Sequence, residues 1–147
     1  MSGFTTSGTA RGRAKGPRRL GLVAFLIGVG GVVLGSGLQF WAGYHLGSIA
    51  QFDVVRAAIE AQKSIDVSKL PPAGGRIVGE VNTISIVGSL AYYGLALWAL
   101  IQGIVAIVRR RGRAWGVAAI VVIVIGYFLV QLAYSGGLAL GAAPYLS

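Results

Sequence analysis

The chain has 147 residues, of which 55% are hydrophobic and 12% charged, with a net charge of +9 and no cysteine. An average soluble domain carries roughly 25% charged residues, so the composition speaks against a water-soluble globule and predicts an all-α integral membrane protein. The absence of cysteine excludes a disulfide framework, a thiolate zinc site and a cysteine nucleophile.

The charge is unevenly placed. Five positives lie at Arg11, Arg13, Lys15, Arg18 and Arg19, and four more at Arg109, Arg110, Arg111 and Arg113. The remaining bases, Arg56, Lys63, Lys69 and Arg76, share a central segment with all four acids, Asp53, Glu60, Asp66 and Glu80, so that segment is neutral. The whole excess therefore flanks apolar runs. Basic clusters there mark the cytoplasmic side of a membrane, which explains both groups without a nucleic-acid partner.

Residues 1–17 are rich in Gly, Ser and Thr with interspersed bases. They show no apolar period, so a disordered basic cytoplasmic tail is expected, followed by a single membrane domain over 18–147. Transit-peptide and cleaved-signal readings compete with this one. Pro17 and the glycines oppose the first. An apolar run longer than the usual 7–15 residues opposes the second.

The first span is expected over about 20–42, anchored inside by Arg18 and Arg19 and outside near Trp41 and Tyr44. Small residues recur along it at Gly21, Ala24, Gly28, Gly31, Gly35 and Ala42. Small residues let helix backbones approach closely in lipid, so this stripe predicts a packing seam, within the chain or with a second copy.

An external helix and loop should fill about 45–83. Ile49, Phe52, Val55, Ile59 and Gln62 repeat at helical spacing beside Asp53, Arg56, Glu60 and Lys63, which predicts an amphipathic helix outside the membrane. Gly43 and Gly47 are candidate bends. Pro71-Pro72-Ala73-Gly74-Gly75 should end any helix, leaving an irregular loop over about 64–78.

The second and third spans are expected over about 86–108 and 114–135, joined by a cytoplasmic turn carrying Arg109, Arg110, Arg111 and Arg113. Trp98 should lie against a neighbouring helix, and Gly136-Gly137 should stop the third span. The intramembrane polar residues are Gln39, Gln102 and Gln131. Counting at 1.5 Å per residue puts Gln39 and Gln131 at the same outer level, where they can bond each other or water. Gln102 has no polar side chain at its level and finds its partner in backbone or a second subunit.

The sequence offers no catalytic set, cofactor fingerprint or metal site. His45 is the lone histidine, and a lone ligand does not make a transition-metal centre. The four acids fall outside the spans, so no intramembrane proton relay is expected.

The hairpin Gly103-Ile104-Val105-Ala106-Ile107-Val108-Arg109-Arg110-Arg111-Gly112-Arg113-Ala114-Trp115-Gly116-Val117-Ala118 resembles the core of small Gly-rich multi-pass bacterial membrane proteins of unknown function. In those, two glycine-rich helices are joined by a basic, glycine-containing turn. The resemblance implies a bacterial plasma membrane and no particular activity.

The expectation is thus a non-enzymatic accessory or assembly subunit, or scaffold, of a membrane complex, with the N-terminus cytoplasmic and the C-terminus external. Its partners would be the lipid bilayer and a membrane protein or a second copy. The alternatives are a small oligomeric pore and a transporter or enzyme component.

Overall fold

The computed structural model describes residues 19–110 and 112–146. The expected tail 1–17, Arg18, Arg111 and the Arg19 side chain lie outside the described residues. The chain forms α1 (Arg19–Gly47), α2 (Asp53–Glu60), α3 (Pro72–Val108) and α4 (Arg113–Leu146), with short 3-10 turns at Ser48–Gln51 and Val67–Lys69. Among the described residues there is no strand. The three long helices are each long and apolar enough to cross a membrane, and α2 is the short amphipathic helix outside them.

Two helix boundaries differ from the sequence expectation, and each has a physical reason. The Pro71-Pro72 pair starts a helix instead of closing one: Pro71 is the N-cap and α3 begins at Pro72. Proline suits the first helical position because its missing N–H is unpaired there in any residue. The loop expected to reach residue 78 therefore ends at Pro71, and α3 begins well before the expected start at about 86. At the other end, α4 runs straight through Gly136-Gly137 to Leu146 instead of stopping near 135. Gly137 stays helical because α1 lies against it. A Cβ there would run into the Phe40 carbonyl oxygen.

The 37 residues of α3 and 34 of α4 correspond to about 55 and 51 Å of helix. Both overrun a hydrocarbon core of about 30 Å by roughly 20 Å. The surplus ends, remote from the arginine turn, join α2 in a head at the far end of the bundle.

The hairpin turn is made by three residues with particular roles. Arg110 and Gly112 take positive φ, 54° and 82°. Gly112 does so without steric cost. The Arg113 guanidinium donates to the Ile107 carbonyl at 3.4 Å, placing a cation at the C-terminal end of α3, where the helix dipole favours it. The turn also seats α1. A Cβ on Gly21 would lie 2.7 Å from the Gly112 carbonyl oxygen, so only glycine fits there without displacement.

Helix α1 is the central element. Among the three long helices its contact with α4 is the most extensive, and the α3–α4 contact is the least. Gly43, a candidate bend on sequence, lies inside α1, where a Cβ would meet the Tyr134 carbonyl oxygen of α4. It serves a close approach and not a bend. Gly47 does end α1 and is pressed against the Leu138 carbonyl oxygen.

The amphipathic segment is shorter than expected. Phe52 adopts extended backbone and separates the 3-10 turn from α2. The helix closes at Glu60 with a pair of backbone bonds, Lys63 N–H to Ala58 O at 2.9 Å and Gln62 N–H to Ile59 O at 3.0 Å. Gln62 takes positive φ there (52°), the usual position of glycine in this closing motif. Of the expected apolar stripe, Ile49 and Val55 are buried, Phe52 is half-buried, and Ile59 and Gln62 are exposed.

Candidate functional site

The small residues Gly21, Ala24, Gly28, Gly31, Gly35 and Ala42 are all buried in α1. The chain's own helices cover them. Gly28 faces Ala99 of α3 and Val122 of α4, Gly31 faces Leu95, and Gly35 faces Tyr92. Matching small residues line the other helices: Ala99, Gly103 and Ala106 on α3, Gly116, Ala119, Gly126, Gly137 and Gly141 on α4. Near the turn, a Cβ on Gly116 would lie 2.7 Å from the Gly103 carbonyl oxygen, so the two helices touch through backbone there.

Further from the turn the character changes. Gln39 of α1 is only 8% exposed. Its amide donates to the Ser89 hydroxyl at 3.0 Å and to the Ser85 carbonyl at 3.3 Å, both on α3. The Tyr92 hydroxyl donates to the Ile123 carbonyl of α4 at 2.9 Å. Buried polar groups need such partners, and in lipid each bond of this kind contributes about 0.6 kcal/mol, up to about 1.7. Gln131 does not bond Gln39, as its level allowed, but is exposed on α4. Counting residues fixes a side chain's depth; its direction around the helix decides the partner. Gln102 is half-buried.

Gln39, Ser89 and Gln131, with Tyr92, Tyr93 and Tyr127, line a recess of about 90 Å³. The same three tyrosines border a crevice of about 390 Å³ between α3 and α4, completed by Ala96, Ile123, Val124 and Phe128. Polar recess and apolar crevice are therefore contiguous. Ser85, Ser89 and Tyr92 were not singled out on sequence, although their spacing of four and three places them on one face of α3.

A cavity of about 550 Å³ lies in the head. The 3-10 turn and α2 contribute Ile49, Val55 and Ile59, the connection contributes Ile65, Val67 and Leu70, and α4 contributes Leu138, Ala142 and Leu146. Ser135 is its only side chain with a polar group. Two ion pairs of the head are local: Asp53 with Arg56, and Asp66 with Lys69 at 3.6 Å. The Ser68 hydroxyl and backbone N–H both donate to Asp66, at 2.6 and 3.1 Å. These bonds, with the Lys69 ammonium nearby, hold the Asp66 carboxyl below its ordinary pKa.

Arg109, Arg110 and Arg113 are exposed at the turn. Trp115 beside them stacks edge-on to Phe25 of α1, with centroids 5.2 Å apart. Trp98 is 57% exposed and faces outward, contrary to the sequence expectation; the Gly/Ala face of α3 takes the interior instead. His45 lies against Trp41, ring centroids 4.0 Å apart. No group of three metal-ligating side chains occurs among the described residues.

The fold and this layout define an all-helical chain with three helices suited to crossing a membrane, a polar bond network where they meet, and an apolar cavity above. No family model, no curated protein and no solved structure matches the chain.

Proposed function

We propose that the protein is a non-enzymatic accessory or assembly subunit of a membrane complex, held in a bacterial plasma membrane with its N-terminus cytoplasmic and its C-terminus external. The positive-inside rule supports the orientation, since the arginine turn and the start of α1 lie at the same end of the bundle, with Gly21 against Gly112. The observation that carries the role is the apolar cavity of the head. Val78, on its wall, is 31 residues from Arg109, about 46 Å along α3 and beyond a core of about 30 Å. Around it Ile59, Val67 and Leu146 are 40–52% exposed. Apolar side chains clustered in a polar layer mark a surface that another protein covers. The α1 seam is occupied by α3 and α4, so the head is the surface left for a partner.

The test is affinity purification of the full chain from mild detergent, followed by mass spectrometry. A co-purifying membrane protein is expected with the wild type and lost in Ile59→Glu and Val67→Glu, with the chain itself accumulating normally. Recovery of the wild type alone as a monomer contradicts the reading. Orientation is read separately, because the chain lacks cysteine. A cysteine at Lys63 should react with an impermeant maleimide on intact cells, and one at Arg110 only after permeabilisation.

A further inference from the structure

We propose that the crevice between α3 and α4 binds one diacyl lipid from the leaflet remote from the arginine turn. Its glycerol-ester region would lie at Gln39 and Gln131, and one acyl chain would lie along Tyr92 and Ala96. The inference rests on membrane insertion alone, not on the accessory role or on which side is cytoplasmic.

The depth of the crevice matches one leaflet. Gln39 is 20 residues from Arg19, Ser89 is 20 from Arg109, and Gln131 is 18 from Arg113, so all three lie about 27–30 Å from the basic ends. That is the far edge of a hydrocarbon core of about 30 Å. Ala96 and Ile123 lie 13 and 10 residues from the same arginines, about 15–20 Å deep. The polar recess is therefore at the interface and the apolar crevice runs from it toward the bilayer centre. A lipid of that leaflet has this order of polarity in this direction.

The polar end of the crevice is uncharged. The recess offers amide and hydroxyl groups from Gln39, Ser89, Gln131, Tyr93 and Tyr127 and carries no charge. Uncharged donors and acceptors suit ester carbonyls and glycerol oxygens better than a phosphate. The Gln39 amide nitrogen is engaged by Ser85 and Ser89, and its oxygen accepts no bond from a described residue. Ester oxygens only accept, so the donors left for them are the amide of Gln131 and the hydroxyls of Tyr93 and Tyr127.

The crevice volume of about 390 Å³ lies within the usual range for a bound small molecule. Tyr92 and Ala96 form a closed floor, fixed by the Tyr92–Ile123 bond, whereas Phe128 on the rim is 66% exposed. The crevice thus opens sideways, and a chain enters it without leaving hydrocarbon. A helix from a second copy fits less well, because close helix contact needs small residues and this rim is Tyr and Phe.

The test counts lipid on the isolated chain, so the presence or absence of a protein partner does not affect it. Full-length protein purified in dodecyl maltoside is weighed by native mass spectrometry. It is also reconstituted in phosphatidylcholine vesicles containing phosphatidylcholine spin-labelled on the acyl chain. The wild type is expected to retain one diacyl lipid per chain and to show a motionally restricted lipid component. Ala96→Phe, which fills the crevice, and Gln131→Leu, which takes the amide donor from its polar end, should each lose that lipid at unchanged helical content. If Ala96→Phe does not fold, Gln131→Leu decides. Equal lipid in wild type and variants, a wild type without lipid, or a lipid-free dimer overturns the proposal.

Discussion

Helix α4 has two long neighbours and treats them differently. Against α1 it stays in contact from one end to the other. Gly21 sits on the hairpin turn, Gly126 on Val32, Gly137 on the Phe40 carbonyl and Gly141 on the Tyr44 carbonyl. Against α3 it is close near the turn, through Gly103 and Gly116, but farther up Tyr93, Tyr127 and Phe128 line a crevice between them. The chain connection does not decide this, since α3 and α4 are the pair joined by a tight turn. Side-chain size does. Where both faces are Gly or Ala the backbones meet; where both carry aromatic rings they part, and a hydroxyl bonded to a carbonyl bridges the gap.

The largest effect that sharpens this contrast is expected from two adjacent glycines. Gly137→Leu should drive a side chain into the α1 backbone and cost about 3 kcal/mol or more, read by unfolding in mixed micelles. Gly136→Leu, one residue away and facing open space, should change stability by no more than about 0.5 kcal/mol. Equal effects would break the comparison. Next, Ser89→Ala removes the Gln39 side-chain partner and should cost about 1 kcal/mol. In a double-mutant cycle with Gln39→Leu, most of that cost should disappear. Tyr92→Phe removes only the bridge across the crevice and should cost about 0.6 kcal/mol.

The smallest effect lies in the head. The folded-state pKa of Asp66 is lowered, so its contribution is present above the ordinary carboxylate pKa. It is lost as the pH falls through the lowered value. Amide exchange at Ser68 should therefore quicken only in that acidic range, and Asp66→Asn should flatten the response.

The three spans and the arginine turn are legible in the sequence, because length, hydropathy and charge act over twenty residues at a time. The small-residue period of α1 is equally visible, and those positions lie beneath α3 and α4. What the sequence hides are features set by tertiary contact. Gly136-Gly137 and Pro71-Pro72 are residues that stop helices in water. Here Gly137 is held in a helix by its neighbour, and Pro72 opens one. The Gln39 level can be counted, but its bond to Ser89 and not to Gln131 depends on how α1 is turned about its axis. Val67 and Leu70 look like loop residues, yet they line the head cavity together with Leu138 and Leu146 of α4.

Paired spin labels test the divergence of α3 from α4 most directly, in a chain that needs no cysteine removed. Outward-facing sites serve near the turn (Ile104 with Val117) and far from it (Leu90 with Leu132) across α3 and α4. Val23 with Val117, and Trp41 with Leu140, report on α1 and α4. The α3–α4 distance should widen from the near pair to the far pair, and the α1–α4 distance should stay nearly constant. An α3–α4 distance that does not widen, or an α1–α4 distance that widens as much, contradicts the account.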